Sequence, residues 1–139
     1  MALSKELTQQ LLSRVGEEVP LEAALLLRRT GTSLAAWTRA NVQAEVVTVM
    51  AATMMGSIEA IAQAAGCPPP ENVFVETDGC RLFALSLERQ ATLVLVASTA
   101  IAEQQLRTLA SEIALRLFPA SDDRSWEPIE APLKRPLAP

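Results

Sequence analysis

Cys67, Cys80, Glu76 and Asp78 are the residues of this 139-residue chain whose types and spacing could do chemistry: thiols as nucleophiles, and carboxylates close enough for general acid and base work. The sequence contains no His and no Tyr, so any proton transfer would fall to carboxylates, Lys or Cys. Cys67 stands at the C-terminal end of a helical pattern, away from the helix N-terminus or cation that activates a thiol, and Cys80 starts a strand-like run. Glu76 and Asp78 share a strand face, but Asp78 is already accounted for by the turn signal Asp78-Gly79. The glycines at 16, 31, 56, 66 and 79 are isolated, so no phosphate-cradling loop is formed. Two cysteines are too few for a disulfide scaffold or a zinc site. The expectation is therefore no catalytic residue, no cofactor and no metal.

Composition narrows the remaining classes. Half of the residues are hydrophobic and only 4% aromatic, which predicts an aliphatic core of mostly small side chains. A net charge of −4 argues against nucleic acid, whose phosphates call for a cationic face; the basic pairs Arg28-Arg29 and Lys134-Arg135 are too small to supply one. Charges at Lys5, Glu6, Arg14, Glu17 and Glu18 interrupt any secretory signal. Glu45 and Glu59 leave a charge-free stretch shorter than the ~20 residues a bilayer requires, so no membrane insertion is expected and a cytoplasmic location is the default.

The patterns place a first helix over residues 5–16, capped by Ser4 and ended by Gly16 or by the stretch before Pro20. Runs 22–29 and 33–38 flank Thr30-Gly31-Thr32, a loop whose Gly permits positive φ, and read as a hairpin. A long helix follows from Asn41, its cap, to Gly66 and the Pro68-Pro69-Pro70 stop. Runs 72–77 and 80–87 around Asp78-Gly79 predict a hairpin with a type I′ turn. Residues 91–97, apolar at nearly every position, predict a central strand covered on both faces. A last helix is expected from Ser98 or Thr99 to about Phe118, ended by Pro119. The fold predicted is an α+β sandwich: a five-stranded antiparallel sheet, the long helix on one face and the terminal helices on the other. One domain covers 1–119, and 120–139 reads as a Pro-rich tail in which Trp126 either packs back or serves as a recognition anchor.

The long pattern, Val42 to Gly66, spans ~37 Å at ~1.5 Å per residue and is apolar on too many sides for a single buried face. Val47, Met50, Met54, Ile58 and Ile61 form a bulky stripe suited to a sheet. Val42, Val46, Val49, Thr53, Gly56, Ala60 and Ala64 form a second stripe, mostly small. Glu45, Thr48, Ala52, Glu59 and Gln63 form a third, polar one. Two readings of the small stripe stand open: it meets another protein chain, or it packs under this chain's own N-terminal helix.

The order of elements, with Leu21-Glu-Ala-Ala-Leu-Leu-Leu-Arg-Arg-Thr-Gly-Thr-Ser-Leu-Ala-Ala36 and Val73-Phe-Val-Glu-Thr-Asp-Gly-Cys-Arg-Leu-Phe-Ala-Leu85, resembles the Roadblock or dynein light-chain family over residues 5–118. The family often carries an acidic residue or Asn before the Gly of the first hairpin, where this chain has Thr30. The resemblance implies a profilin-like sandwich that dimerises through its long helix and the edge strand after it. On that mapping, Val46, Val49, Thr53, Gly56, Ala60 and Ala64 would meet across the pair, together with Asn72, Val73, Phe74, Val75 and Glu76 of the edge strand. It also implies a non-catalytic scaffold or regulator for a small Ras-like GTPase, or an adaptor on a motor or signalling complex. Glu45, Thr48, Glu59, Gln63 and Trp126 are the candidate contacts for such a partner, unless the polar stripe is simply solvated. A small-ligand sensor, with a pocket between sheet and helix, is the competing class.

Overall fold

The computed structural model describes residues 5–87 and 91–118. Its elements are α1 (Lys5–Glu18), β1 (Leu21–Arg28), β2 (Ser33–Thr38), α2 (Ala44–Ala64), β3 (Asn72–Glu76), β4 (Cys80–Leu87), β5 (Ala91–Ser98) and α3 (Glu103–Leu117). The strands form one antiparallel sheet in the order β2-β1-β5-β4-β3. The α+β architecture and the element order are those expected. The Ser4 cap, the Pro119 stop, the Pro-rich segment 120–139 and Trp126 lie outside the described residues.

Strand β5 is central, as its unbroken apolar run demands: Leu93 and Leu95 face one layer, Val94 the other, and all three are fully buried. The larger layer packs Leu12 and Val15 of α1 and Leu106, Ala110 and Ile113 of α3 against Leu21, Leu26, Phe83, Leu93 and Leu95. The opposite layer is thinner. There Ala51 and Met55 of α2 meet Ala23, Leu25, Leu27, Ala84 and Val94.

Four local expectations are corrected or narrowed. Of the two ends open to α1, the stretch before Pro20 is the one taken, so the bound at 16 extends to Glu18; a Cβ at Gly16 would lie 2.3 Å from the Trp37 ring, so glycine stands there to let β2 approach. Asn41 is not the cap of α2. The chain turns first, with Val42 N–H donating to Arg39 C=O, and Gln43 opens the helix without a side-chain cap. Gly79 lacks the positive φ of a type I′ turn; instead the hairpin closes through Thr77, whose N–H donates to Cys80 C=O at 2.9 Å and whose Oγ1 accepts from Cys80 N–H at 3.1 Å. Helix α3 starts at Glu103, because Ser98 is used in a turn: its Oγ accepts from Ala100 N–H and its C=O from Ile101 N–H.

The stop of α2 is as the sequence predicts, with its geometry now explicit. Gly66 takes φ +77°, Gly66 N–H reaches Gln63 C=O and Cys67 N–H reaches Ala62 C=O, which together satisfy carbonyls the helix end would otherwise leave bare. Gly31 likewise takes φ +98° between β1 and β2.

Candidate interaction surface

Helix α2 is 21 residues long, ~31 Å, and only Thr48, Ala51 and Met55 are buried along it. Its sheet-facing side is therefore narrow, and it is only in part the side predicted: Val47 and Met54 of the bulky stripe pack half-buried against the sheet, but the helix is rotated so that other members do not. Met50 and Ile61, assigned above to the sheet, are 56% and 67% exposed. Thr48, assigned to the polar stripe, is buried, its Oγ1 donating to Ala44 C=O at 2.8 Å so that the hydroxyl enters the interior satisfied. The cause is volume. Strand β1 brings Leu25 and Leu27 up against the helix, and a helix close to two leucines needs small side chains such as Ala51 opposite them.

That rotation broadens the outer face. Val46, Val49, Met50 and Ile61 are exposed large apolar side chains, and Thr53, Gly56, Ala60 and Ala64 between them are exposed small ones. Nothing lies within 4 Å of a Cβ built on Gly56, so this face is not packed under α1, which sits on the other side of the sheet. By length and composition α2 could also cross a membrane, but its inner side is committed to the sheet and Glu59 is ion-paired with Arg29.

Of the polar residues expected to face a partner, Glu45 and Gln63 are exposed, Glu59 is half-buried in its pair with Arg29, and Thr48 is interior. Trp126 lies outside the described residues.

Strand β3 forms one edge of the sheet, paired only with β4. Ser86 N–H donates to Glu71 C=O and Thr77 N–H to Cys80 C=O, so by antiparallel alternation the backbone groups of Asn72, Phe74 and Glu76 point away from β4. Among the described residues, no side chain bonds those groups. Val75, on the side facing α2, is 37% exposed, while Phe74 packs on the larger core.

Two side chains that hold this edge, Arg107 and Arg81, carry no strong sequence signal. Arg107 of α3 pairs with Glu103 at 2.7 Å, lies 4.9 Å over the Phe83 ring and reaches Asn72 Oδ1 at 3.4 Å, tying α3 to β4 and β3. Only the Glu103–Arg107 spacing could have been read in advance. Arg81 bonds Glu76 and the Ile101 carbonyl, so Glu76 is neutralised on the strand and is not half of a carboxylate pair with Asp78. Cys67 and Cys80 are free thiols on the surface. No three His, Cys, Asp or Glu converge on a common point among the described residues. Between α2 and the sheet, a cavity of about 30 Å³ lined by Leu27, Ala52, Met55, Gly56 and Thr92 has room for water but not for a metabolite.

A sheet with one helix on its first face and two on its second, one apolar helix face uncovered and one strand edge unpaired, defines an α+β interaction module that offers a surface rather than an enclosed pocket. The chain belongs to the Roadblock/LC7 domain family, whose model matches residues 7–97. The fold is similar to Myxococcus xanthus MglB, with a TM-score of 0.73 at 12% identity over 82% of this chain and 86% of that one. It is similar to a Roadblock/LC7 domain from Streptomyces avermitilis, with a TM-score of 0.61 at 17% identity over 89% and 98% of the two chains. A more distant similarity is to profilin II of Acanthamoeba castellanii, with a TM-score of 0.52 at 13% identity over 77% and 91%. No curated protein sequence matches the chain.

Proposed function

We propose that the protein is a cytoplasmic homodimeric scaffold or regulatory subunit that binds a small Ras-like GTPase. The observation carrying this reading is the exposed apolar face of α2, from Val46 to Ala64, in a molecule whose β3 edge is also open. A single chain leaves both in water; a twin covers both, helix against helix and strand against strand. Gly56, Ala60 and Ala64 let the paired helices approach closely, and Asn72, Phe74 and Glu76 offer the outward backbone groups for strand addition. Membership of the Roadblock/LC7 family supports the GTPase, since resemblance to that family implies scaffolds and regulators of such proteins. On the pair, Glu45 and Gln63 flank the joined helices and remain available to the partner. The sensor reading is less well supported: the space enclosed between sheet and α2 is about 30 Å³, and the larger hollows, about 460 Å³ beside α3 and about 370 Å³ beside Pro68–Pro70, are open to solvent.

The partner is tested by passing native cell extract over the immobilised protein in GDP and in GTP. Enrichment of one Ras-like GTPase, dependent on nucleotide and reduced by Glu45→Lys with Gln63→Lys, is the expected result. Recovery of no GTPase under either nucleotide would overturn the regulatory reading.

A further inference from the structure

The two edges of the sheet are handled differently. At β2, Arg39 N–H donates to Glu22 C=O at 3.0 Å, and the alternation of the ladder then turns Ala35 and Trp37 toward β1 and Ala36 and Thr38 outward. The outward groups of Ala36 are both taken by one side chain. Gln9 Oε1 accepts from Ala36 N–H at 3.0 Å, and Gln9 Nε2 donates to Ala36 C=O at 2.6 Å. A primary amide offers the same donor and acceptor as a residue of a neighbouring strand, so Gln9 occupies the place a partner strand would take. Its position is set by packing: Gly16, two helical turns further along α1, receives the Trp37 ring, which fixes the helix against β2 in this register.

We infer that Gln9 is an edge guard, closing β2 to strand addition by a second copy of this chain and leaving β3 as the edge through which assembly proceeds. The guard itself does not depend on the pairing proposed above; only the size of what forms in its absence does. Without Gln9, the β2 edges of two copies pair antiparallel. If the protein is already joined through β3, both ends of each unit become adhesive and growth is open-ended.

The test compares the full chain with Gln9→Ala, with Gln9→Met, which keeps the side chain's length but not its hydrogen bonds, and with Gln10→Ala as an exposed control on the same helix. Ala36 amide exchange, read at low concentration, is expected to rise at least about tenfold in both Gln9 variants and to stay unchanged in Gln10→Ala. Light-scattering mass at high concentration is expected to exceed the wild-type value for both Gln9 variants, whatever that value is. Should Gln9→Ala not fold, Gln9→Met decides. Unchanged exchange at Ala36, or a mass equal to wild type at every concentration, would overturn the guard; a monomeric wild type with a dimeric Gln9 variant would uphold it while refuting pairing through β3.

Discussion

Gly16 shows how much of this fold depends on a single absent methyl group. It lies in the last turn of α1, where glycine is disfavoured by up to ~1 kcal/mol relative to Ala, yet the Trp37 ring occupies the space a Cβ would need. Gly16→Ala should improve helix propensity and still lower stability, by about 1–3 kcal/mol, because the ring can yield only by lifting off α1. Chemical denaturation with Trp fluorescence checks this; a variant more stable than wild type would mean that the ring moves freely. Arg107 and Arg81 work in the same local way at the opposite edge, each bonding elements far apart in sequence. Such residues escape sequence reading because their partners, Asn72, Phe83 and Ile101, are identified only once the strands are in register.

Among the elements, α2 carries the proposed function. Gly56 points into open space, so Gly56→Leu should leave the isolated chain at least as stable, gaining up to about 1 kcal/mol of helix propensity, while separating the two helices that the proposed pair brings together there. The expected pattern is an unchanged or raised Tm at low concentration with an association constant lowered by about 100-fold, ~3 kcal/mol, in sedimentation equilibrium. Loss of folding instead would place Gly56 against the chain's own core. Strand β4 is legible to the residue, since alternation and the Asp-Gly turn delimit it, and the hydrophobic run of β5 announces its central place. The rotation of α2 is not legible. Periodicity puts Val47 and Met54 inward, where they pack, but cannot fix the exact rotation until Leu25 and Leu27 of β1 select the small Ala51. Hence Met50 and Ile61 lie outside, Thr48 lies inside, and the existence of a second apolar face is readable where its exact membership is not. The start of α3 is missed for a related reason: Ser98 can cap a helix or a turn, and here Ile101 must first enter the core.

For the whole molecule, the uneven layers are the central fact. Two helices bury one side of the sheet thoroughly, whereas a single helix covers the other and keeps most of its own apolar surface in water. One edge strand is occupied by a side-chain amide and the other is open. On the proposed function a molecule built in this way is completed by a second copy, and the pair then presents its polar helix margins to a further partner. Light-scattering mass across a dilution series, for wild type beside Val49→Lys, tests that claim most directly. Two chains per particle at micromolar concentration, falling to one in Val49→Lys with the fold intact by circular dichroism, is the predicted result. A wild type that stays a single chain throughout the series would contradict it.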